Sequence, residues 1–279
     1  MSAANIVTGA TDSLLDSVLT DGRPTDLDTL GVVAFGGFAH FTAMQVRDGA
    51  VRGLDLHVDR VVDASRRLFG AELAPERVRS DLRAALASAP PDLSLTMTVF
   101  DSHREFTNEP VEPLLRTMVR TGPPSSGPEG PLALGIFEHE RFMPEIKQVG
   151  EGAKTYFMRR ARDEGFDDAA FVDREGRVSE ASIWNLAFWD GEAVVWPRAE
   201  ILTGTRMGIL QRRLESVGIE QRTETVRVQE LSTYQGAAVI NSWTAGIEVR
   251  QIGETPFAGS SALVKVLRDA YENEPPVQP

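Results

Sequence analysis

The chain holds only three lysines, Lys147, Lys154 and Lys265, among 29 basic residues. Arginine carries nearly all the positive charge. A lysine in an awkward place, just after Met143-Pro144-Glu145-Ile146, therefore invites a chemical use that a guanidinium does not offer, such as a Schiff base. Lys147 is that lysine. An amine used this way must be neutral at working pH, which burial and a nearby positive charge both favour, and once released it can act as general base and acid. Lys154, seven residues on within a helical run, is its rival, whereas Lys265 falls on the outward side of a C-terminal helix. Glu180 is either a strand-end surface acid or a carboxylate serving a site. His57 and Arg60 are three apart and share a helix face, which on spacing alone reads as a surface pair. Thr203-Gly204-Thr205 leads into the amphipathic helix Met207 to Val217, so it is either an ordinary cap or a phosphate cradle of free N–H groups.

Composition narrows the chemistry. With no cysteine, thiolate metal sites, iron–sulfur clusters and cysteine nucleophiles are excluded. Four scattered histidines argue against a histidine metal centre, so no metal is expected. A formal charge of -12 argues against nucleic acid or an anionic membrane as the main partner. Hydrophobic residues at 42% and no membrane-length apolar run or signal peptide point to a cytoplasmic globular protein.

The elements that must position these groups alternate between strand and helix patterns, an α/β (α+β) chain. Residues 1–28 read as a flexible N-terminal arm. A strand at Val32 to Phe35 and another at Phe38 to Val46 come next, the latter ending in the hairpin signal Arg47-Asp48-Gly49. Helical spacing follows from Leu54 to Phe69 and from Pro75 to Ala87. The half-buried strands Leu93 to Phe100 and Val111 to Val119 flank a polar loop holding His103 and Arg104. Residues 121–131, rich in Pro, Gly and Ser, divide a small domain (29–120) from a larger one (132–274). In the second domain a helical run reaches Asp163, then come an apolar strand, a hairpin at Asp173-Arg174-Glu175-Gly176 and a strand bearing Glu180. A short strand is expected at Val226 to Val228 and a helix from Gly259 to Tyr271, with 275–279 a disordered tail.

A Lys, then Gly165-Phe166-Asp167-Asp168, the strand Ala169 to Val172, Asp173-x-x-Gly176-x-Val178-Ser179-Glu180, and Asn185 five residues later resemble the fold-type IV pyridoxal-phosphate enzymes. These are the branched-chain and D-amino-acid aminotransferases and aminodeoxychorismate lyase. The resemblance covers roughly Gly36 to Tyr271 and implies two α/β domains with pyridoxal 5'-phosphate in the cleft between them. It implies Lys147 as the cofactor lysine, Glu180 at the pyridine nitrogen, and Arg60 on the phosphate, with Val61 where the family has Leu. Gly204, Thr205 and Ser242 would complete the phosphate site. Trp243 stands where many aminotransferases have a small residue, and is either a pocket wall or a core ring. Asn185, five residues beyond Glu180 in a strand, is expected on the opposite face, supporting a loop.

By the same resemblance the protein is a homodimer in which the small domain of one subunit closes the site of the other. That makes His40, Thr42, Gln45, His103 and Arg104, together with Trp243, the substrate-side candidates. Phe41-Thr42-Ala43-Met44-Gln45-Val46-x-Asp48-Gly49 is similar to the run of the lyases, but Ala43 replaces a Thr and Gln45 an Arg. The Phe-Glu-Gly of branched-chain enzymes is missing, and Gly152 replaces their tyrosine. The leading expectation is transfer of an amino group between an amino acid or amine and a 2-oxo acid. The alternative is a lyase releasing pyruvate to give 4-aminobenzoate, and a third is a non-catalytic relative that binds a partner or small molecule.

Overall fold

Apolar–polar alternation on strands and 3.6-residue periodicity on helices decide which faces meet, and a computed structural model describes the result for residues 17–103 and 111–279. Expectations for residues 1–16 and for Arg104 lie outside the described residues. The first half runs β1 (Val18–Thr20), β2 (Arg23–Pro24), α1 (Leu27–Gly36), β3 (Ala39–Val46), β4 (Val51–Arg52), α2 (Leu54–Phe69), α3 (Pro75–Leu86), β5 (Leu93–Asp101) and β6 (Leu115–Gly122). An antiparallel sheet in the order β2-β1-β6-β5-β3 buries Val46, Leu93, Leu95 and Met97 against Val58, Val61 and Leu82 of α2 and α3. Each such fully buried aliphatic side chain contributes roughly 1.5–3 kcal/mol. The Asp48-Gly49 turn after β3 has both residues at positive φ, 51° and 70°, as a two-residue hairpin of this kind needs.

The second half runs β7 (Leu132–Glu138), α4 (Gly152–Asp163), β8 (Asp168–Val172), β9 (Val178–Ala181), β10 (Asn185–Trp189), β11 (Val194–Pro197), α5 (Thr205–Ser216) and β12 (Gln221–Glu224). A 3₁₀ helix (Val228–Thr233), β13 (Gly236–Asn241), β14 (Thr244–Ile252), β15 (Thr255–Pro256), α6 (Ser260–Glu272) and β16 (Pro276–Val277) complete it. Its large sheet runs β12-β11-β10-β13-β14-β7-β8-β9, and β9 pairs back to β10 through Glu180 and Asn185, so the sheet closes on itself. One face packs Leu134, Leu186, Phe188, Val239 and Val249 together, while the other packs Trp196, Ala238 and Ile240 against α5 and α6.

Four sequence expectations change. Val32 to Phe35 lies in helix α1 instead of a strand, because Asp26 caps the Thr29 N–H at 2.7 Å and Gly37 ends the helix at φ 73°. The apolar run that suggested burial leaves Phe35 91% exposed. Part of the arm is ordered, since β1 pairs with β6 at the sheet edge. Val226 to Val228 is no strand: Gln221–Glu224 takes that place beside β11, and Val228 opens the 3₁₀ helix. The tail is tied down too, with β16 paired to β4 and Glu274 buried against Arg212 and Arg213.

Candidate active site

Strand alternation on β3 decides which of its side chains reach a cavity of about 290 Å³ between the two sheets. Phe41 and Ala43 line it, and so does Thr96, which pairs with Ala43 across β3 and β5. His40 and Thr42 point the other way and are fully buried. His40 Nε2 lies 3.0 Å from Ser65 Oγ, and Thr42 Oγ1 lies 2.6 Å from His57 Nδ1. Burial alone pushes His40 down to about 4, and burial followed by the charges of Arg60 and Arg206 pushes His57 well below its ordinary value. Both imidazoles are therefore neutral framework groups, and neither His40 nor Thr42 is brought to the cavity.

Lys147 reaches the cavity because its backbone is laced to β3. The Phe41 N–H donates to the Lys147 carbonyl at 2.8 Å, the Val149 N–H donates to Ala39 O at 2.9 Å, and Ile146 is a fully buried anchor alongside. Its Nζ lies 4.8 Å from the Phe41 ring centre. Burial first, then Arg60, Lys154 and Arg141, hold the amine down to about 7, with Glu180 the one opposing charge. An aromatic face favours the ammonium, but burial and three cations outweigh it. A good share of the amine is thus neutral near pH 7.

Glu180 is buried on β9 at the sheet's closing seam. Its Oε1 meets Arg141 Nη1 at 3.3 Å and Lys154 Nζ at 3.5 Å. Among the described residues nothing donates to Oε2, and Glu180 lines the cavity. Asn185 departs from the expected opposite face. The chain bends between β9 and β10, where the Ala181 N–H donates to Trp184 O at 2.9 Å, and this sets Asn185 opposite Glu180 on the same cavity. Asn185 does brace a loop, donating from Nδ2 to Leu202 O at 2.7 Å.

Arg60, from α2, also lines the cavity, donates to Thr203 O at 2.7 Å and has no carboxylate partner among the described residues. Burial, then Arg141, lowers it to about 10, so it remains a cation at neutral pH. Gly204 begins α5 without a side-chain cap, which leaves first-turn N–H groups beside the cavity. Ser242 and Trp243 approach from the turn between β13 and β14. Arg206 stiffens that turn, donating to Asn241 O at 3.1 Å and Ser242 O at 2.9 Å, with its guanidinium 3.5 Å from the Tyr271 ring centre. Trp243 packs edge-on against Trp184, ring centres 6.0 Å apart, and is a cavity wall more than a core ring.

Lys147, Arg60, Glu180, Gly204, Thr205, Ser242 and Trp243 are thus brought together. Gln45 lines a neighbouring cavity with Arg47, Arg52 and Arg268, its amide bonded to Ser94 and to the Ser125 N–H. His103 binds Asp101 at 2.9 Å and lies outside both cavities. The sequence reading missed Arg141, Arg206 and Thr96 and set Lys154 aside. Lysine scarcity was a signal for Lys154; nothing in the spacing singled out Arg141.

The cavity therefore offers a partly neutral amine, an unpaired carboxylate oxygen and a cation beside free N–H groups. That donor set fits a ligand bearing an electrophilic carbon, a protonated ring nitrogen and a phosphate. Among the described residues no group of His, Asp or Glu is placed to hold a metal, and no helix is long and apolar enough to cross a membrane.

A sequence model of the family described as amino-transferase class IV matches residues 39–252. No curated protein matches the chain. Among solved structures, a branched-chain aminotransferase from the archaeon Thermoproteus uzoniensis, crystallised with norvaline, superposes with a TM-score of 0.80 at 18% identity. It covers 92% of this chain and 93% of its own. A 4-amino-4-deoxychorismate lyase from Pseudomonas aeruginosa gives 0.76 at 21%, covering 92% and 98%. The Escherichia coli branched-chain amino acid aminotransferase gives 0.78 at 15%, covering 92% and 94%. At these identities the superpositions establish the fold.

Proposed function

Because the chain belongs to the class IV aminotransferases, a pyridoxal-phosphate-dependent family, we propose that it moves an amino group between an amino acid or amine and a 2-oxo acid. The observation that carries this reading is the Lys147 amine, held down to about 7 in a cavity it shares with Glu180 and Arg60. The donor set fits pyridoxal phosphate. Lys147 would hold its aldehyde carbon and Glu180 Oε2 its ring nitrogen. Arg60, the first turn of α5 with Gly204 and Thr205, and Ser242 would hold its phosphate. When bound, the cofactor supplies an electron sink for negative charge developing at the substrate's α-carbon.

The chain's own residues do the rest. Neutral Lys147 takes the α-proton and returns it, a base and acid matched to neutral pH by the same burial that lowers it. Glu180, buried and negatively charged, favours a protonated ring nitrogen. Phe41 and Trp243 give the cavity aromatic walls that limit the room left for water. A homodimer fits the exposed apolar side chains of α1, Leu27 at 84% and Phe35 at 91%, which a second copy would cover. Sedimentation equilibrium tests this, and a monomer at micromolar concentration would refute it.

Lys147→Ala tests the central assignment. The wild-type protein should be yellow, should lose that colour on borohydride reduction with the label on the Lys147 peptide, and should need a 2-oxo acid for turnover. The variant should be colourless and inactive, and full activity in it would sink the reading. One observation favours a second reading, the lyase: Thr96 brings a hydroxyl to the cavity wall directly opposite Ala43, where the resembling lyases have threonine. Pyruvate release without an added acceptor, abolished in Thr96→Val, would establish the lyase in place of the transferase.

A further inference from the structure

Resting on that reading of Lys147, we propose that Lys154 is its positioning residue: with Arg141 it pins Glu180, so that the carboxylate cannot capture the Lys147 amine as an ion pair. Lys154 Nζ lies 3.3 Å from Glu151 Oε2 and 3.5 Å from Glu180 Oε1. Arg141 spans the same two acids, at 2.9 Å from Glu151 and 3.3 Å from Glu180. The four side chains form a closed ring of alternating charge that sums to zero. It is well shielded, with exposures of 2% for Arg141, 5% for Glu180, 11% for Lys154 and 18% for Glu151. Helix α4 opens just after Glu151 and sets Lys154 one turn on, so both hold the ring from one side.

The argument turns on what else a buried carboxylate would do. Glu180 needs cationic partners to stay charged out of water. The charged groups facing Lys147 are Arg60 from α2, Arg141 from the segment after β7, Lys154 from α4 and Glu180 from β9, while β3 presents only the Phe41 ring. Glu180 is the sole acid among them. Without Lys154, Glu180 Oε1 keeps Arg141 alone, one cation in place of two, and Lys147 is the other lysine lining the same cavity. The Lys147 amine would then gain an attractive carboxylate and lose a repelling cation, two changes that both favour the ammonium. The same pinning leaves Oε2 of Glu180, the oxygen without a donor, turned to the cavity.

The test is the pH dependence of Lys147 acetylation in the full chain freed of pyridoxal phosphate. Trace acetic anhydride is the probe, and the Lys147 peptide is quantified by mass. In wild type the midpoint should lie near 7. In Lys154→Met it should move up by about one pH unit or more, which leaves about fivefold less neutral, reactive amine at pH 7. Lys154→Gln, which keeps a polar head in the ring, should behave alike and serves should the Met variant not fold. Lys154→Arg, which keeps the charge, should return the midpoint most of the way to wild type, a rescue that a merely space-filling role would not produce. Folded Met or Gln variants with the wild-type midpoint would overturn the proposal. A wild-type midpoint at an ordinary lysine value would instead overturn the reading of Lys147 itself, so the two failures are distinguishable.

Discussion

Gly204→Ala isolates the joint between the loop and helix α5 on which the phosphate site depends. Gly204 has φ -66° and ψ 143°, a conformation any residue adopts, so an added methyl costs nothing in backbone strain. It costs space. The new Cβ would stand 2.2 Å from Asn185 Oδ1, far inside contact distance. Asn185 is 6% exposed, so its amide has no solvent to swing into, and Nδ2 is already committed to Leu202 O at 2.7 Å. Relief requires either breaking that buried hydrogen bond, about 1–3 kcal/mol, or pushing the loop aside, which costs a similar amount as overpacking. The expected loss is about 2–3 kcal/mol in urea denaturation with an unchanged m-value. Pyridoxal-phosphate affinity should also fall, because the first turn of α5 moves with Gly204.

Asn185→Ala in the Gly204→Ala background removes the atom being struck. The double variant should recover about 1 kcal/mol or more relative to the sum of the single losses, the coupling expected of residues in contact. A Gly204→Ala protein within 0.5 kcal/mol of wild type would refute the packing argument. A loss that the Asn185 change leaves untouched would refute its attribution to this contact.

Two further outcomes follow from groups outside the chemistry. His40 takes up its proton near 4 when folded and near 6.5 when unfolded, so unfolding binds a proton between those values. Its contribution is fully present above about pH 6.5 and is lost as pH falls toward 4, about 3 kcal/mol in all. Urea midpoints for His40→Gln should show a shallower acid slope than wild type over that window, and an unchanged slope would refute the assignment. Glu274→Gln leaves Arg212 and Arg213 facing a neutral amide where a carboxylate 3% exposed in its side chain now binds both. About 2 kcal/mol should be lost in thermal or urea unfolding, less than for a fully enclosed pair, because Arg212 also holds Asp55. Removal of residues 274–279 should cost more, since it also takes away the β16 pairing; no effect from either would refute a tied C-terminus.

Local signals carried a large part of this reading. The Asp48-Gly49 turn, the periodicity of α2 and the alternation of β5 are each encoded within a few residues, and each stands in the fold where its pattern set it. Failures came where flanking caps or a distant partner overrode a local pattern. Val32 to Phe35 is apolar enough for a strand, but a capping Asp26 and a stop at Gly37 decide for a helix, which packs Val32 and Val33 against the cluster of Ala39, Phe100 and Met118 and leaves Ala34 and Phe35 facing outward. The C-terminal residues look too polar and proline-rich to order, yet a buried carboxylate between two arginines of α5 holds them.

The same distinction divides the site. Lys147 stood out through the scarcity of lysine, whereas Glu180 was marked only by the resemblance of its segment to the fold-type IV enzymes, and both line the one cavity. Treating Glu180 and Asn185 as positions on one regular strand sent them to opposite faces, whereas a bend between β9 and β10 folds the chain back and pairs them. Closing the sheet at that pair is what brings a carboxylate and the brace of the α5 loop to one cavity. Arg141 and Lys154 matter through that carboxylate and through their charge beside Lys147. An arginine in an irregular segment and a lysine in a helix are individually ordinary, and their meaning is their separation from Glu180 Oε1, 3.3 and 3.5 Å. Charge burial is a property of the assembled cavity. Residues that hold a buried charge in place, unlike those that carry the reaction, therefore leave little trace in the one-dimensional pattern.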